Sequence, residues 1–276
     1  MKREAFTVIL ILSAVVFTTT KAKALFDNER YGMKRIVDAN PNLIDVKRYG
    51  AKGDGKTDDT VAVRNAARNM RPFSTLYFPS GTYLTGPFNL TVSNTQLFLE
   101  KDATILGNSR ADWPVYNATL FFPQFGHATD CTPGTFACAY ARQAIIMAWN
   151  VTNLTLRGEG TIDGAGQNWW ACAHDLSASP CSGHARPHLL DVFLSSNIRM
   201  YDLNIQNSPD WTLHFSGVSD LHVRNVNVVN PSNAPNSDGI DLDCVSGALV
   251  EDSYVVFERK AREYFYHIPH ILRISL

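Results

Sequence analysis

From residue 75 onward, apolar and polar residues alternate in short runs, each closed by Gly, Pro, Asn or Asp: Thr75-Leu76-Tyr77-Phe78, Gly81-Thr82-Tyr83-Leu84, Thr95-Gln96-Leu97-Phe98-Leu99 and Ala103-Thr104-Ile105-Leu106. Alternation with period two between turn residues predicts β-strands. The stretch before them reads differently. Between Thr60 and Asn69, Val61, Ala62, Ala66 and Ala67 form a narrow apolar face, which predicts a short helix whose first amides are capped by Thr57 or Asp58.

Beyond residue 145 the strands recur at a fixed interval. Asn153-Leu154-Thr155-Leu156 with Thr161-Ile162-Asp163-Gly164 is followed by Asn197-Ile198-Arg199-Met200 with Leu203-Asn204-Ile205. Asp220-Leu221-His222-Val223 with Val226-Asn227-Val228 comes next, and then Ala248-Leu249-Val250. Ile198 and Leu221 are 23 residues apart, as are Ile205 and Val228. A constant coil length with Asn, Gly, Asp or Ser at the corners predicts a parallel β-helix, each coil stacking on the next. A sandwich or barrel of antiparallel hairpins needs no such constancy.

The regions outside the repeat have their own signatures. Lys2 and Arg3 precede an apolar run from Phe6 to Phe17, and Ala22-Lys23-Ala24 offers small residues for cleavage, so residues 1–24 read as a secretory signal peptide and 25–42 as a linker. An apolar stretch this short does not comfortably span a bilayer, so no membrane association is expected once it is removed. Residues 107–142 read as an irregular excursion with Trp113, Phe121, Phe122 and Phe125, aromatics expected to pack onto the body or, alternatively, to stack on sugars.

Composition adds the address. The chain is 45% hydrophobic and 18% charged, ordinary for one large globular domain. Loss of residues 1–24 removes four basic residues and one acid, moving the formal charge from −1 to −4, which argues against a nucleic-acid partner. Sequons at Asn89, Asn117, Asn150 and Asn153 fit export and glycosylation, although Asn150 and Asn153 are too close for easy modification of both. Of five cysteines, Cys131 with Cys138 and Cys172 with Cys181 are the economical disulfides; Cys244 is left as a buried free thiol or as the half of a pair whose partner lies downstream.

Candidate chemistry concentrates in Asn236-Ser237-Asp238-Gly239-Ile240-Asp241. Gly239 tolerates the positive φ of a sharp bend, so Asp238 need not follow the alternation of the next strand and two acids can face one cleft. Paired acids suit polysaccharide hydrolysis, in which one protonates the leaving oxygen and another activates water. The same residues also make a good turn. Asp54, Asp58 and Asp59 do not complete a calcium-loop pattern.

Taken together, four ordered motifs resemble the polygalacturonase family of pectin-degrading glycoside hydrolases. They are Tyr49-Gly50-Ala51-Lys52-Gly53-Asp54-Gly55-Lys56-Thr57-Asp58-Asp59-Thr60, Gly158-Glu159-Gly160-Thr161-Ile162-Asp163-Gly164-Ala165-Gly166 with Trp169-Trp170, Asn207-Ser208-Pro209-Asp210-Trp211, and Asn236 to Asp241. The resemblance covers roughly residues 43–255. It implies an all-β, right-handed parallel β-helix with a short N-terminal helix, and a monomeric secreted cell-wall enzyme that hydrolyses α-1,4-galacturonan with inversion, without metal or cofactor. Asp238 matches the family's first catalytic aspartate, which helps to activate water; Asn236 matches the carboxamide beside it, with Asp241 supporting the site.

The family then places an Asp-Asp pair, a Gly-His-Gly segment and an Arg-x-Lys segment, none of which occurs in this sequence. The tail from Val256 to Leu276 lacks the coil period, so the expectation is an incomplete β-helix domain at 43–255 lacking its C-terminal coils, followed by a non-family tail and weak or no activity. Tyr264-Phe265-Tyr266 to Ile268 would then serve as an improvised cap. Glu258 and Glu263 are poor substitutes for the missing acids, and His174, His184, His188, His214 and His222 read as structural. A non-catalytic pectin-binding β-helix and a calcium-dependent pectate lyase are the alternatives. Mass spectrometry of the exported product should place its N-terminus next to Ala24; retention of Met1 would overturn the signal-peptide reading.

Overall fold

The computed structural model describes residues 42–117, 140–259, 262–268 and 272–274. The chain divides into units Met1–Leu43 and Ile44–Leu276; the first lies almost wholly outside the described residues, as do the Cys131–Cys138 pair and Phe121, Phe122 and Phe125. The second unit is built from three mainly parallel sheets, two of eight strands and one of five. Each full coil supplies one strand to each sheet. One coil, for example, runs through Leu190–Phe193, Ser196–Tyr201 and Asn204–Gln206 before the next begins at Leu213–Ser216. Parallel strands joined by such crossovers form a right-handed β-helix.

The 23-residue interval is the pairing register itself: Ile198 lies opposite Leu221, and Ile205 opposite Val228. Inward positions therefore stack like on like. Leu97, Leu156, Met200, Val223 and Val250 form one buried column, and Ile105, Ile162, Ile205, Val228 and Val255 form another. Each such side chain contributes about 1.5–3 kcal/mol by leaving water.

Corners demand left-handed backbone, and the sequence supplies residues that accept it. Asn94, Asn153, Asn197, Asp220 and Gly247, one per coil, all have positive φ, and carboxamides link them: Asn153 Nδ2 donates to Asn94 Oδ1 at 3.1 Å, and Asn197 Nδ2 to Asn153 Oδ1 at 3.4 Å. A second corner column holds Asn150, Leu194, Gly217 and Cys244. Cys244 is thus an exposed free thiol and not a buried one, because the corner turns its side chain away from the core. Cys172 and Cys181 form the expected disulfide.

The helix runs Thr60–Arg68 and buries Ala62, Val63, Ala66 and Ala67. Val61 is 70% exposed; at 100° per residue, Val63 completes the stripe instead. Asp58 accepts the Thr60 amide at 3.0 Å, whereas Asp59 turns back to the amides of Lys52 and Gly53 at 2.7 and 3.0 Å. Asp54 accepts the amides of Lys56 and Thr57. These carboxylates hold the turn.

The tail continues two sheets with reversed direction. Strand Ser253–Arg259 pairs parallel with Asn227–Val229 on one side and antiparallel with Arg262–Ile268 on the other. Leu272–Ile274 pairs antiparallel with Ser246–Glu251. In the five-stranded sheet, Ile240–Asp243 is an edge strand, paired among the described residues with Leu213–Ser216 alone.

Glycines of the second motif mark where coils come closest. A Cβ on Gly158, whose φ is +130°, would lie 1.9 Å from the Leu99 carbonyl oxygen, and one on Gly166 would lie 2.2 Å from that of Ser208. Gly158→Ala should therefore cost at least about 3 kcal/mol. Gly183→Ala, with nothing within 4 Å of its Cβ, should cost only the left-handed backbone term of about 1–2 kcal/mol. Urea unfolding distinguishes the two, and equal losses would refute the stacking account.

Candidate active site

The five-stranded sheet, Phe88–Leu90, Ile146–Trp149, Leu190–Phe193, Leu213–Ser216 and Ile240–Asp243, carries the chemistry on its outer face. Leu190, Val192, Leu213 and Phe215 point into the core, with Ile240 and Leu242 packed against it. Alternation turns Asp191, His214 and Asp241 outward. Register sets them in one row, since Asp191 lies opposite His214 and His214 opposite Asp241.

Two acids flanking one histidine need partners. Asp191 Oδ1 accepts from His188 Nδ1 at 2.7 Å and from His214 Nδ1 at 3.2 Å, and Oδ2 accepts the Tyr116 hydroxyl at 3.3 Å. His214 Nε2 meets Asp243 Oδ2 at 2.7 Å. With a carboxylate on each nitrogen, His214 is an imidazolium. Burial opposes its charge, but the hydrogen bonds to Asp191 and Asp243 outweigh that and push it up to about 9. Burial likewise works against the charge of Asp191, yet the two histidines hold it well below the ordinary carboxylate range. Trp211 stacks on His188 and meets His214 edge-on, each with centroids 5.0 Å apart. His188 and His214, read from sequence as merely structural, thus belong to the site.

His188, Asp191 and His214 also present potential metal-ligand atoms within 4.8 Å of one another. Both Nδ1 atoms point at one Asp191 oxygen, and a doubly protonated His214 has no lone pair for a metal. The arrangement suits a proton-linked cluster.

A second network holds the loop before the edge strand. Arg186 is fully buried and donates to the carbonyls of Pro209 and Pro235, each at 2.7 Å, to Asp210 Oδ1 at 3.0 Å and to Asn236 Oδ1 at 2.8 Å. Asn230 joins the same loops, accepting the Ser208 amide and donating to Thr212 Oγ1 and to the Ser237 carbonyl. Burial pushes Asp210 up to about 6 against the pull of Arg186, which leaves the pair ionic at neutral pH. Neutralising either partner would strand a buried charge.

Asp238 emerges half-buried from this clamped loop. The left-handed bend expected at Gly239 lies at Asn236, with φ 57°; Gly239 has already joined the ladder, its carbonyl accepting the Leu213 amide at 3.2 Å. Asp241 Oδ2 is buried with no hydrogen-bond partner among the described residues. Burial, followed by the charge of Asp238, pushes the Asp241 carboxyl up to about 7 despite the pull of His214 and His188. The charge of Asp238 thus acts on Asp241, which is poised to hold a proton.

A hollow of about 440 Å³ elsewhere is lined by Asp58, Asn108, Arg110 and Asn168 among others. It contains none of these acids.

Residues 87–258, more than half of the chain, match Glycosyl hydrolases family 28. The chain belongs to that family. A Vitis vinifera protein named "Probable polygalacturonase" is 29% identical over 91% of this chain and 50% of its own length. A Chamaecyparis obtusa polygalacturonase is 26% identical over 88% and 46%. The Yersinia enterocolitica family 28 exopolygalacturonase superposes with TM-score 0.64 at 19% identity, covering 78% of this chain and 43% of that one. This family 28 chain spans about half the length of the curated relatives it matches.

Linkage gives a direct check on Asp241. Its folded-state value, raised above the unfolded one, means that stability is lost as pH rises from about 4 to about 7. Asp241→Asn should remove that loss, so its urea midpoint should exceed that of the parent at pH 7 and approach it at pH 4. A variant less stable than the parent at both pH values would rule out the buried, protonated carboxyl.

Proposed function

We propose that this family 28 chain hydrolyses the α-1,4-galacturonan of pectin with inversion, Asp238 activating water and Asp241 donating the proton. The observation that carries the proposal is the Asp241 carboxyl, which burial together with the charge of Asp238 pushes up to about 7. The Asp241 proton passes to the glycosidic oxygen as the C1–O bond breaks. Water attacks C1 from the opposite face and gives its proton to Asp238. Asn236, held by Arg186 at 2.8 Å, keeps the Asp238 loop in place.

Turnover is expected to be low. Arg186 directs its donors to carbonyls, Asp210 and Asn236, so it is not available to a galacturonate carboxylate. We further infer a secreted, monomeric cell-wall protein, from the N-terminal leader pattern and the sequons. Asn89, Asn150 and Asn153 are exposed, but Asn153 is engaged in the corner ladder, which favours Asn150 of that close pair. No described helix is long and apolar enough to cross a membrane.

Reducing ends released from polygalacturonate test the reading. Asp238→Asn should lower the rate by about 100-fold or more while leaving polymer retention intact. Parent activity should decline as pH rises through about 7, and Asp241→Asn, which has no proton to donate, should lower the rate by about 100-fold or more at every pH. Retention without product from the parent chain would favour a pectin-binding role, and a calcium-dependent unsaturated product would point to a lyase.

A further inference from the structure

The row of outward residues that carries Asp241 continues away from the acids. Asp241, His214, Asp191, Met147 and Asn89 stand opposite one another strand by strand. Three strand spacings, about 14 Å, separate the edge strand from Ile146–Trp149. There the outer face opens into a groove of about 260 Å³ lined by Asn89, Thr91, Pro114, Tyr116, Gln143, Met147 and Trp149. Trp149, beside Met147 on the same strand face, is 50% exposed.

The lining contrasts with the acid cluster: it contains no charged side chain. An indole face beside a thioether and a proline ring suits the C–H face of a pyranose; Gln143 Nε2 donates to Asn89 Oδ1, which leaves the Asn89 amide, the Gln143 carbonyl oxygen and the Thr91 hydroxyl for sugar hydroxyls. A free galacturonate carboxylate placed here would lose water without gaining a cation. We propose that this groove is a distal subsite selective for a methyl-esterified galacturonosyl unit of the same polymer whose backbone reaches Asp238. The proposal rests on the reading of the outer face as a pectin-binding surface.

Binding is measured on the full chain carrying Asp238→Asn, in which cleavage is expected to be about 100-fold or more slower. The protein is produced in a host that adds no N-glycans, since the Asn89 sequon lies in the lining. Highly methyl-esterified homogalacturonan and de-esterified polygalacturonate of matched length are the two probes. Trp149→Ala should weaken binding of the esterified polymer about 5-fold, the equivalent of one lost aromatic stacking contact, and change polygalacturonate binding by less than about 2-fold. Trp149→Phe should restore most of the affinity, and Gln143→Lys should shift preference toward polygalacturonate. Equal losses on both polymers, or none on the esterified one from a variant with unchanged thermal unfolding, would overturn the subsite. Failure of the parent chain to retain either polymer would overturn the pectin reading itself.

Discussion

Backbone pairing between successive coils is the constraint from which the rest of this molecule follows. Each strand hydrogen-bonds to its counterparts in the coils before and after it, so a slip of one residue would exchange inward and outward faces throughout that strand. With register held, Leu156 lies over Met200 and Met200 over Val223, and the core becomes a set of continuous apolar columns. The closeness of the coils leaves no room for a Cβ at Gly158 or Gly166. Corner residues are pressed into the left-handed region, which Asn, Asp and Gly enter at low cost and Leu194 and Cys244 enter with strain.

Outward residues are aligned by the same register, and their chemistry follows from being aligned. Asp191 and Asp241 stand on either side of His214 in one row, an arrangement of like charges that cannot persist without compensation. His214 provides it by holding a proton on each nitrogen between Asp191 and Asp243. What compensates Asp191 leaves Asp241 short: its buried Oδ2 lacks a hydrogen-bond partner among the described residues, and Asp238 adds a like charge. The acid with the worst environment is therefore the one able to hold and release a proton. Arg186 does the corresponding work for the loops, tying Asp210, Asn236 and two proline carbonyls into one buried junction.

Membership of family 28 accounts for why these motifs occur together, and the physical reasons differ from motif to motif. The Gly158 to Gly166 stretch answers to crowding between coils, Asn207 to Trp211 to the buried junction with Arg186, and Asn236 to Asp241 to the outer face. At the end of the described chain, antiparallel strands extend two sheets, and the five-stranded sheet has Ile240–Asp243 at its edge. The half-buried Asp241 lies at that edge, and the uncharged groove at Trp149 lies toward the other end of the same face.

The sequence by itself determined the coil and most of its strands, because alternation, corner residues and a constant interval are local or strictly periodic. It also singled out Asp238, Asn236, Asp241 and the Cys172–Cys181 bridge, through spacing and family motifs. The five-stranded sheet was harder to see: Leu190–Phe193 and Leu213–Ser216 are only four residues long, so each offers two outward positions, too few for its alternation to stand out. One signal was present, since Asp191 and His214 are separated by the same 23 residues as the core pairs. Only the tertiary structure decided that His188, His214 and Asp191 share a network, that the bend lies at Asn236 and that Arg186 joins residues up to 50 positions away. Those facts depend on which coils stack and how closely, and charge compensation across coils has no signature in any one stretch of chain.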